Sequence, residues 1–195
     1  MTMAYYQRNA QRFFDSTVGV DMASLYAPFL SLVAPGGCVL DAGCGSGRDA
    51  KAFSALGYRV EAFDASAEMV ELATAYTGLP IRQMAFSALK AEERYDGIWC
   101  CASLLHLPQA ELPEAMRRLA RALKPGGVWY LSFKYGTTER EKEGRHFTDL
   151  NEAGLQKLVS ALPQVSIVEQ WTTQDKRPDR DEVWLNTLLR KHLSE

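Results

Sequence analysis

An α/β fold built on a mostly parallel sheet, with helices on both faces, is what this sequence predicts, and three observations predict it. Short apolar runs alternate with stretches of helical periodicity along the whole chain. Most of those runs are continuously apolar rather than alternating, as strands covered on both faces must be. The last two extended runs, Val165–Thr172 and Val183–Leu189, are joined through the charged loop Asp175–Glu182. That is too short for a crossover helix, so the pair forms an antiparallel hairpin and one strand near the sheet edge runs backwards.

The elements follow in order. Tyr5–Phe14 and Asp21–Val33 have helical patterns, with Pro28 kinking or dividing the second. Strands are expected at Cys38–Asp41, Tyr58–Phe63, Ile81–Met84, Tyr95–Cys101 and Val128–Phe133. A helix over Ser46–Leu56 follows a glycine loop and stops at Gly57. Ser66 caps the next, which carries Met69, Leu72, Ala73 and Tyr76 on one face. Pro113 suits the first turn of a helix whose stripe, Leu112, Met116, Leu119 and Leu123, runs into the breaker Lys124-Pro125-Gly126-Gly127. Thr148 is expected to cap a helix carrying Leu155, Leu158, Val159 and Leu162. Crossovers between the parallel strands should be right-handed. The expectation is one domain over 1–195, with a helical lid or cap at 1–34 and the core at 35–195.

Composition narrows the function. A net charge of −2 and a pI near 6.0 provide no broad basic footprint for nucleic acid. No apolar run approaches the roughly 18 residues that cross a bilayer, and the opening M-T-M-A-Y-Y-Q-R-N-A-Q-R lacks the apolar core of a signal peptide. The four cysteines, Cys38, Cys44, Cys100 and Cys101, contain no C-x-x-C pair and sit in apolar surroundings. They read as reduced thiols with no metal role, in a cytoplasmic protein without membrane partners.

The stretch C-V-L-D-A-G-C-G-S-G-R at Cys38–Arg48 carries the chemistry. Glycines between a strand and a helix let a ligand touch main chain, and the helix points free N–H groups at it. A dinucleotide loop would read G-x-G-x-x-G, but here the glycines are Gly43, Gly45 and Gly47, and Arg48 stands where the longer pattern needs its third glycine. Asp41, two residues ahead of Gly43, would repel a pyrophosphate and welcome an ammonium group. Asp64 ends the second strand, where a carboxylate accepts hydrogen bonds from both ribose hydroxyls. A ligand with a ribose, a cationic part and no phosphate fits, and S-adenosylmethionine has all three properties.

The segments V-L-D-A-G-C-G-S-G-R-D, E-A-F-D-A-S and L-K-P-G-G-V-W-Y-L-S-F resemble the class I S-adenosylmethionine-dependent methyltransferases. The likeness covers about residues 36–190. Within that superfamily the chain is similar to a small bacterial group of mostly unassigned substrate, and more distantly to the tellurite-resistance methyltransferases. The resemblance implies a Rossmann-like, seven-stranded, mostly parallel sheet with an antiparallel C-terminal strand. It implies S-adenosyl-L-methionine as cofactor and S-adenosyl-L-homocysteine as product. It further implies that Asp41, Gly43, Cys44 and Gly45 line the methionine part, that Asp64 holds the ribose, and that Ala65 and Ser66 follow beside the sugar and adenine. Met84-Ala85-Phe86 should lie against the adenine, where Ala85 and Phe86 replace the acidic residue common in relatives, and Cys101 should approach the methionine part.

Methyl transfer is an in-line displacement on an activated carbon, so alignment and water exclusion matter most, and a base is needed only for an acceptor that must lose a proton. His106, past the fourth strand at the carboxyl edge of the sheet, is the candidate base; the alternative is a histidine that caps main chain or packs under the cofactor. His146 and His192 have weaker claims, and His192 reads as a surface residue of a frayed tail. The loops Lys134–Phe147 and Asp175–Glu182 open on the same edge, so Lys134, Tyr135, Arg145, Arg177 and Arg180 are placed to hold a small anionic acceptor. Against that, these loops are of mixed sign and their charges can neutralise one another in water. Tyr6, Asn9 and Phe13 share a helical face that either closes over the ligand or merely docks the helix.

The expected function is methyl transfer to a small molecule, by a monomer or homodimer with no nucleic-acid partner. Neither the asparagine-proline-proline-aromatic motif of DNA amino-methyltransferases nor the Pro-Cys loop of cytosine methyltransferases occurs. A catalytically silent cofactor-binding module is the alternative. A nicotinamide-dependent oxidoreductase is a further one, disfavoured by Asp41 and the glycine spacing.

Overall fold

The computed structural model describes residues 2–162 and 164–194. The chain opens with helices α1 (Thr2–Thr17) and α2 (Ala23–Leu30), then alternates β1 (Cys38–Ala42), α3 (Arg48–Ala55), β2 (Arg59–Asp64), α4 (Ala67–Thr77) and β3 (Arg82–Gln83). After β4 (Tyr95–Cys100), α5 (Leu112–Ala122) and β5 (Leu123–Lys134) come β6 (Glu139–Lys142), β7 (Arg145–Thr148), α6 (Glu152–Ser160), β8 (Val165–Gln174) and β9 (Val183–Lys191). Seven strands form one sheet in the order β3-β2-β1-β4-β5-β9-β8. β9 is antiparallel to both neighbours, and the other strands run parallel to one another. This is the expected architecture, including the reversed strand.

The sheet is covered on both faces, which explains the continuously apolar strands. On β4, Ile98 and Cys100 pack into one core with Leu104, Met116 and Leu119, whereas Trp99 between them enters a second core with Phe29, Phe53 and Tyr130. On β5, Trp129 and Leu131 go to the first core and Val128 and Tyr130 to the second. Period-two alternation thus feeds both layers. The Trp99 and Tyr130 rings stack at 4.0 Å, which anchors α2 and α3 over the middle of the sheet.

Helix ends follow local chemistry, with three departures. Ser66 caps α4 as expected, its Oγ accepting from the Met69 amide at 3.2 Å, and Gly78 ends it at φ +71°. The helix expected from Ser46 starts two residues later, because Gly47 at φ +79° is still part of the loop. Thr148 does not cap α6: it ends β7 and its hydroxyl donates to the Leu107 carbonyl at 2.7 Å, while Asn151 caps the helix through Gly154 N–H at 2.9 Å. The stretch after β5 contains the β6–β7 hairpin rather than only an open loop. Its turn is Glu143-Gly144, both at positive φ, a weaker hairpin signal than Asn-Gly. The tail is fastened at its start, since His192 N–H donates to the Gln164 carbonyl at 2.8 Å. Among the described residues no helix is long and apolar enough to cross a membrane, and all four cysteines are free.

Candidate functional site

A cavity of about 380 Å³ opens over the carboxyl ends of β1, β2, β4 and β5, roofed by α1 and the β6–β7 hairpin. The sheet order turns outward on either side of β1 and β4, which is where open α/β sheets leave a crevice.

The glycine loop makes the floor. Gly43 N–H and Cys44 N–H both donate to the Phe63 carbonyl at 2.9 Å, which holds the loop against the end of β2. Gly43 has φ +76°, and a Cβ there would sit 2.5 Å from Ser103 Cβ; one on Gly47 would sit 2.6 Å from Thr77 Cγ2. Only glycine satisfies both the backbone and the space. Asp64 Oδ2 accepts from Gly45 N–H at 2.9 Å and Oδ1 from Ser66 N–H at 3.0 Å, so the carboxylate is oriented from both sides at the cavity wall. Burial raises its pKa against the pull of those amides.

Asp41 lies under the loop and outside the cavity lining, 2% exposed. Its Oδ2 is buried without a hydrogen-bond partner, and burial, then repulsion from Asp49, pushes its pKa well up. Gly43, Cys44, Gly45, Ala65, Ala85, Phe86 and Cys101 line the cavity with Asp64, and Phe63, Met69 and Met84 add apolar surface beside Phe86. Ser66 does not line it; its hydroxyl is spent on the α4 cap.

Sequence reading missed the pair directly after the glycines. Arg48 Nε donates to Asp49 Oδ1 at 2.8 Å, and Arg48 Nη1 to the Thr17 carbonyl at 3.2 Å. Asp49 also accepts from the Tyr26 hydroxyl and from Trp99 Nε1 at 2.8 Å. Burial opposes ionisation of Asp49, but the Arg48 charge and these donors win and hold its pKa below the usual range. Both residues line the cavity. Two adjacent charges in the first turn of a helix that must pack on the sheet were the available signal.

At the other end stand the residues expected to hold an acceptor. Tyr6 and Phe13 of α1 line the cavity and Asn9 does not; its amide donates to the Tyr5 carbonyl at 2.9 Å. Seven residues bring a helix round to within about 20° of the starting face, while three leave it about 60° off. Tyr135 is also absent from the lining; the residue is 44% exposed and its hydroxyl donates to Glu152 at 2.7 Å. Lys134, Arg145, Arg177 and Arg180 all reach the cavity, but unequally free. Arg177 is paired with Asp175 at 2.7 Å. Burial would raise the pKa of Asp175, but the Arg177 and Trp184 hydrogen bonds bring it down to about 2. Lys134 lies 3.3 Å from Glu182 and 4.3 Å above the Phe147 ring, and burial lowers its pKa. Arg180 stands 3.9 Å from Glu182.

Arg145 is different. Its guanidinium packs over Tyr5 at 4.3 Å and Phe147 at 5.2 Å, its side chain is 11% exposed, and its carboxylate contact is Glu143 at a long 3.3 Å. Its Nε is buried with no partner. Beside it, His106 Nδ1 lies 2.9 Å from the His146 carbonyl and Nε2 lies 3.0 Å from the Tyr6 hydroxyl. Burial, aided by Arg145 and Lys134, pushes the His106 pKa down to about 4. His146 lies on the hairpin with Nε2 3.1 Å from the Thr148 hydroxyl, and His192 is exposed beside Ser166.

A family model described as a methyltransferase domain matches residues 39–127. The ubiquinone biosynthesis O-methyltransferase of Xanthomonas campestris pv. campestris (strain B100) is 36% identical over 106 residues, covering 50% of this chain and 43% of that protein. The chain therefore spans less than half the length of the curated relatives it matches. The crystal structure of Burkholderia thailandensis 1,6-didemethyltoxoflavin-N1-methyltransferase, with bound 1,6-didemethyltoxoflavin and S-adenosylhomocysteine, superposes with a TM-score of 0.77 at 25% identity, covering 97% of this chain and 84% of that one. A Methanosarcina mazei S-adenosylmethionine-dependent methyltransferase shares the fold with a TM-score of 0.76 at 16% identity, over 90% of this chain and 100% of that one.

Proposed function

Because this chain belongs to the class I S-adenosylmethionine-dependent methyltransferases, we propose that it transfers a methyl group from S-adenosylmethionine to a small anionic acceptor seated in the cavity. When bound, the cofactor supplies a methyl carbon activated by a sulfonium, which bonds to the acceptor as its bond to sulfur breaks and S-adenosylhomocysteine remains.

The residues present fit that cofactor. Asp41 Oδ2 lies buried and unpartnered under the glycine loop, outside the cavity lining, so the fit rests on the residues that do line it. Asp64 carries two oxygens already oriented by amides and still able to accept from ribose hydroxyls. Phe63, Met69, Met84 and Phe86 provide an apolar slot suited to adenine. Arg48 brings a largely buried cation to the cavity wall, the sign of charge that a cofactor carboxylate would pair with. α1 and the hairpin above would help to keep water from the reacting atoms.

The observation that carries the anionic acceptor is Arg145, a nearly buried guanidinium at the cavity wall with an unpartnered Nε. Charges in such places are normally paired, and its neighbours Lys134 and Arg177 already have their carboxylates. Calorimetry tests the cofactor assignment. S-adenosylhomocysteine should bind the wild type, and Asp64→Ala should weaken that binding by about 1–3 kcal/mol. Binding of NAD in its place would overturn the assignment. Turnover of small acids, thiols, amines and oxyanions, read as S-adenosylhomocysteine release, identifies the acceptor; release with none of them would favour a silent binding module.

A further inference from the structure

The hydrogen-bond directions around His106 have a consequence for proton transfer. A carbonyl can only accept, so His106 Nδ1 donates to His146 O at 2.9 Å and its lone pair sits on Nε2. The Tyr6 hydroxyl therefore donates its single proton to Nε2 at 3.0 Å. Tyr6 Oη keeps only lone pairs, and both residues line the cavity. A ligand hydroxyl arriving there meets an acceptor wired to a second acceptor, with Arg145 alongside.

We propose that Tyr6 and His106 form a proton relay for a small hydroxy acid, whose acidic group pairs with Arg145 while its hydroxyl gives up a proton to Tyr6. This rests on the methyltransferase reading and names the acceptor class for it. The proton leaving the acceptor goes to Tyr6 Oη as the proton of Tyr6 goes to His106 Nε2. Tyr6 is neutral before and after. His106 ends as an imidazolium still bonded through Nδ1–H to His146 O, and the acceptor oxygen keeps the electron pair with which it attacks the methyl carbon. The imidazolium later returns its proton to water.

The acid group switches the relay on. Tyr6 faces His106 from α1, and Lys134 of β5 with Arg145 and His146 of β7 lower its proton affinity, while the nearby carboxylates Asp64 and Glu139 face its neighbours Tyr6 and His146. In that cationic, buried setting His106 is a weak base, with its pKa pushed down to about 4. An anion on Arg145 cancels much of the field and raises its proton affinity. A neutral alcohol leaves the field in place, so hydroxy acids are selected at the chemical step as well as in binding.

Nitrogen-15 NMR of the three histidines in the whole chain tests this, with and without S-adenosylhomocysteine, and His106→Gln identifies the resonance. Formate is the anion probe, compared with chloride at equal ionic strength. We expect Nε2 of His106 to be the bare nitrogen, and Tyr6→Phe to shift its resonance. Formate should raise the His106 pKa by about 1 unit. Arg145→Gln should start higher by a similar amount and lose the formate response, while Arg145→Lys, which keeps the charge, should retain it. A proton on Nε2, no Tyr6→Phe shift, an unmoved His106 in formate, or an equal response in Arg145→Gln would each overturn the relay. Calorimetry with S-adenosylhomocysteine judges the methyltransferase reading separately, since the histidine titration needs no cofactor.

Discussion

Gly43→Ala puts a methyl group where the floor of the site has no room for one. Gly43 has φ +76°, and its new Cβ would lie 2.5 Å from Ser103 Cβ and 3.2 Å from Ser103 Oγ. Ser103 cannot simply turn away: it is 8% exposed and its hydroxyl donates to the Ala42 carbonyl at 2.7 Å. The left-handed backbone costs about 1–2 kcal/mol for a residue with a Cβ, and overpacking adds about 1–3 kcal/mol. Lower chain entropy in the unfolded state offsets about 0.4–1 kcal/mol. The net loss is roughly 2–4 kcal/mol, or a fall in Tm of about 5–15 °C for a chain of this size. Gly45→Ala is the internal comparison, because its Cβ would meet Phe13 Cε1 only at 3.4 Å, at φ +53°. It should lose about 1 kcal/mol, the backbone cost alone. Urea unfolding followed by circular dichroism measures both. Equal midpoints for the two variants would refute the argument that Ser103 sets the limit at this end of the loop.

Two further tests address the charges. Asp49→Ala removes the carboxylate shared by Arg48, Tyr26 and Trp99, leaving a buried guanidinium uncompensated, and should cost about 3–5 kcal/mol by chemical denaturation; a loss under about 1 kcal/mol would show that Arg48 finds another partner. His106 is neutral in the fold, with a pKa of about 4 against 6.5 unfolded, so between those values the unfolded chain binds more protons. Stability should therefore be complete above about pH 6.5 and fall by about 3 kcal/mol on acidification to about pH 4. Asp175, held down to about 2 from 3.8, acts in the same direction at lower pH: its share is present above about pH 4 and is lost between there and about pH 2. His106→Gln should flatten the upper window and leave the lower one, as followed by pH-dependent urea melts; an unchanged upper slope would contradict the buried neutral imidazole.

What the sequence determined by itself was what depends on a few neighbouring residues. Strand and helix alternation, the glycine turn after β1, the carboxylate ending β2, the Ser66 cap and the β8–β9 hairpin are all local backbone chemistry, and each is where the residues put it. The local reading slipped where two residues competed for one role. Thr148 and Asn151 both suit a cap, and the choice went to Asn151 because Thr148 is claimed by a strand and by the Leu107 carbonyl. Only the tertiary structure decided which charges neutralise each other. Six cations reach the cavity, Arg48 from α3, Lys134 from β5, Arg145 from β7, and Lys176, Arg177 and Arg180 from the β8–β9 loop; Asp49, Glu182 and Asp175 occupy Arg48, Lys134 and Arg177 at close range, while Arg145 is left with a long contact to Glu143 and an unpartnered Nε. Likewise Tyr6 and His106 meet across 100 residues of chain. Side chains that long reach partners wherever folding brings them, and their electrostatic energy depends on separation and burial in space, quantities that no spacing along the chain contains.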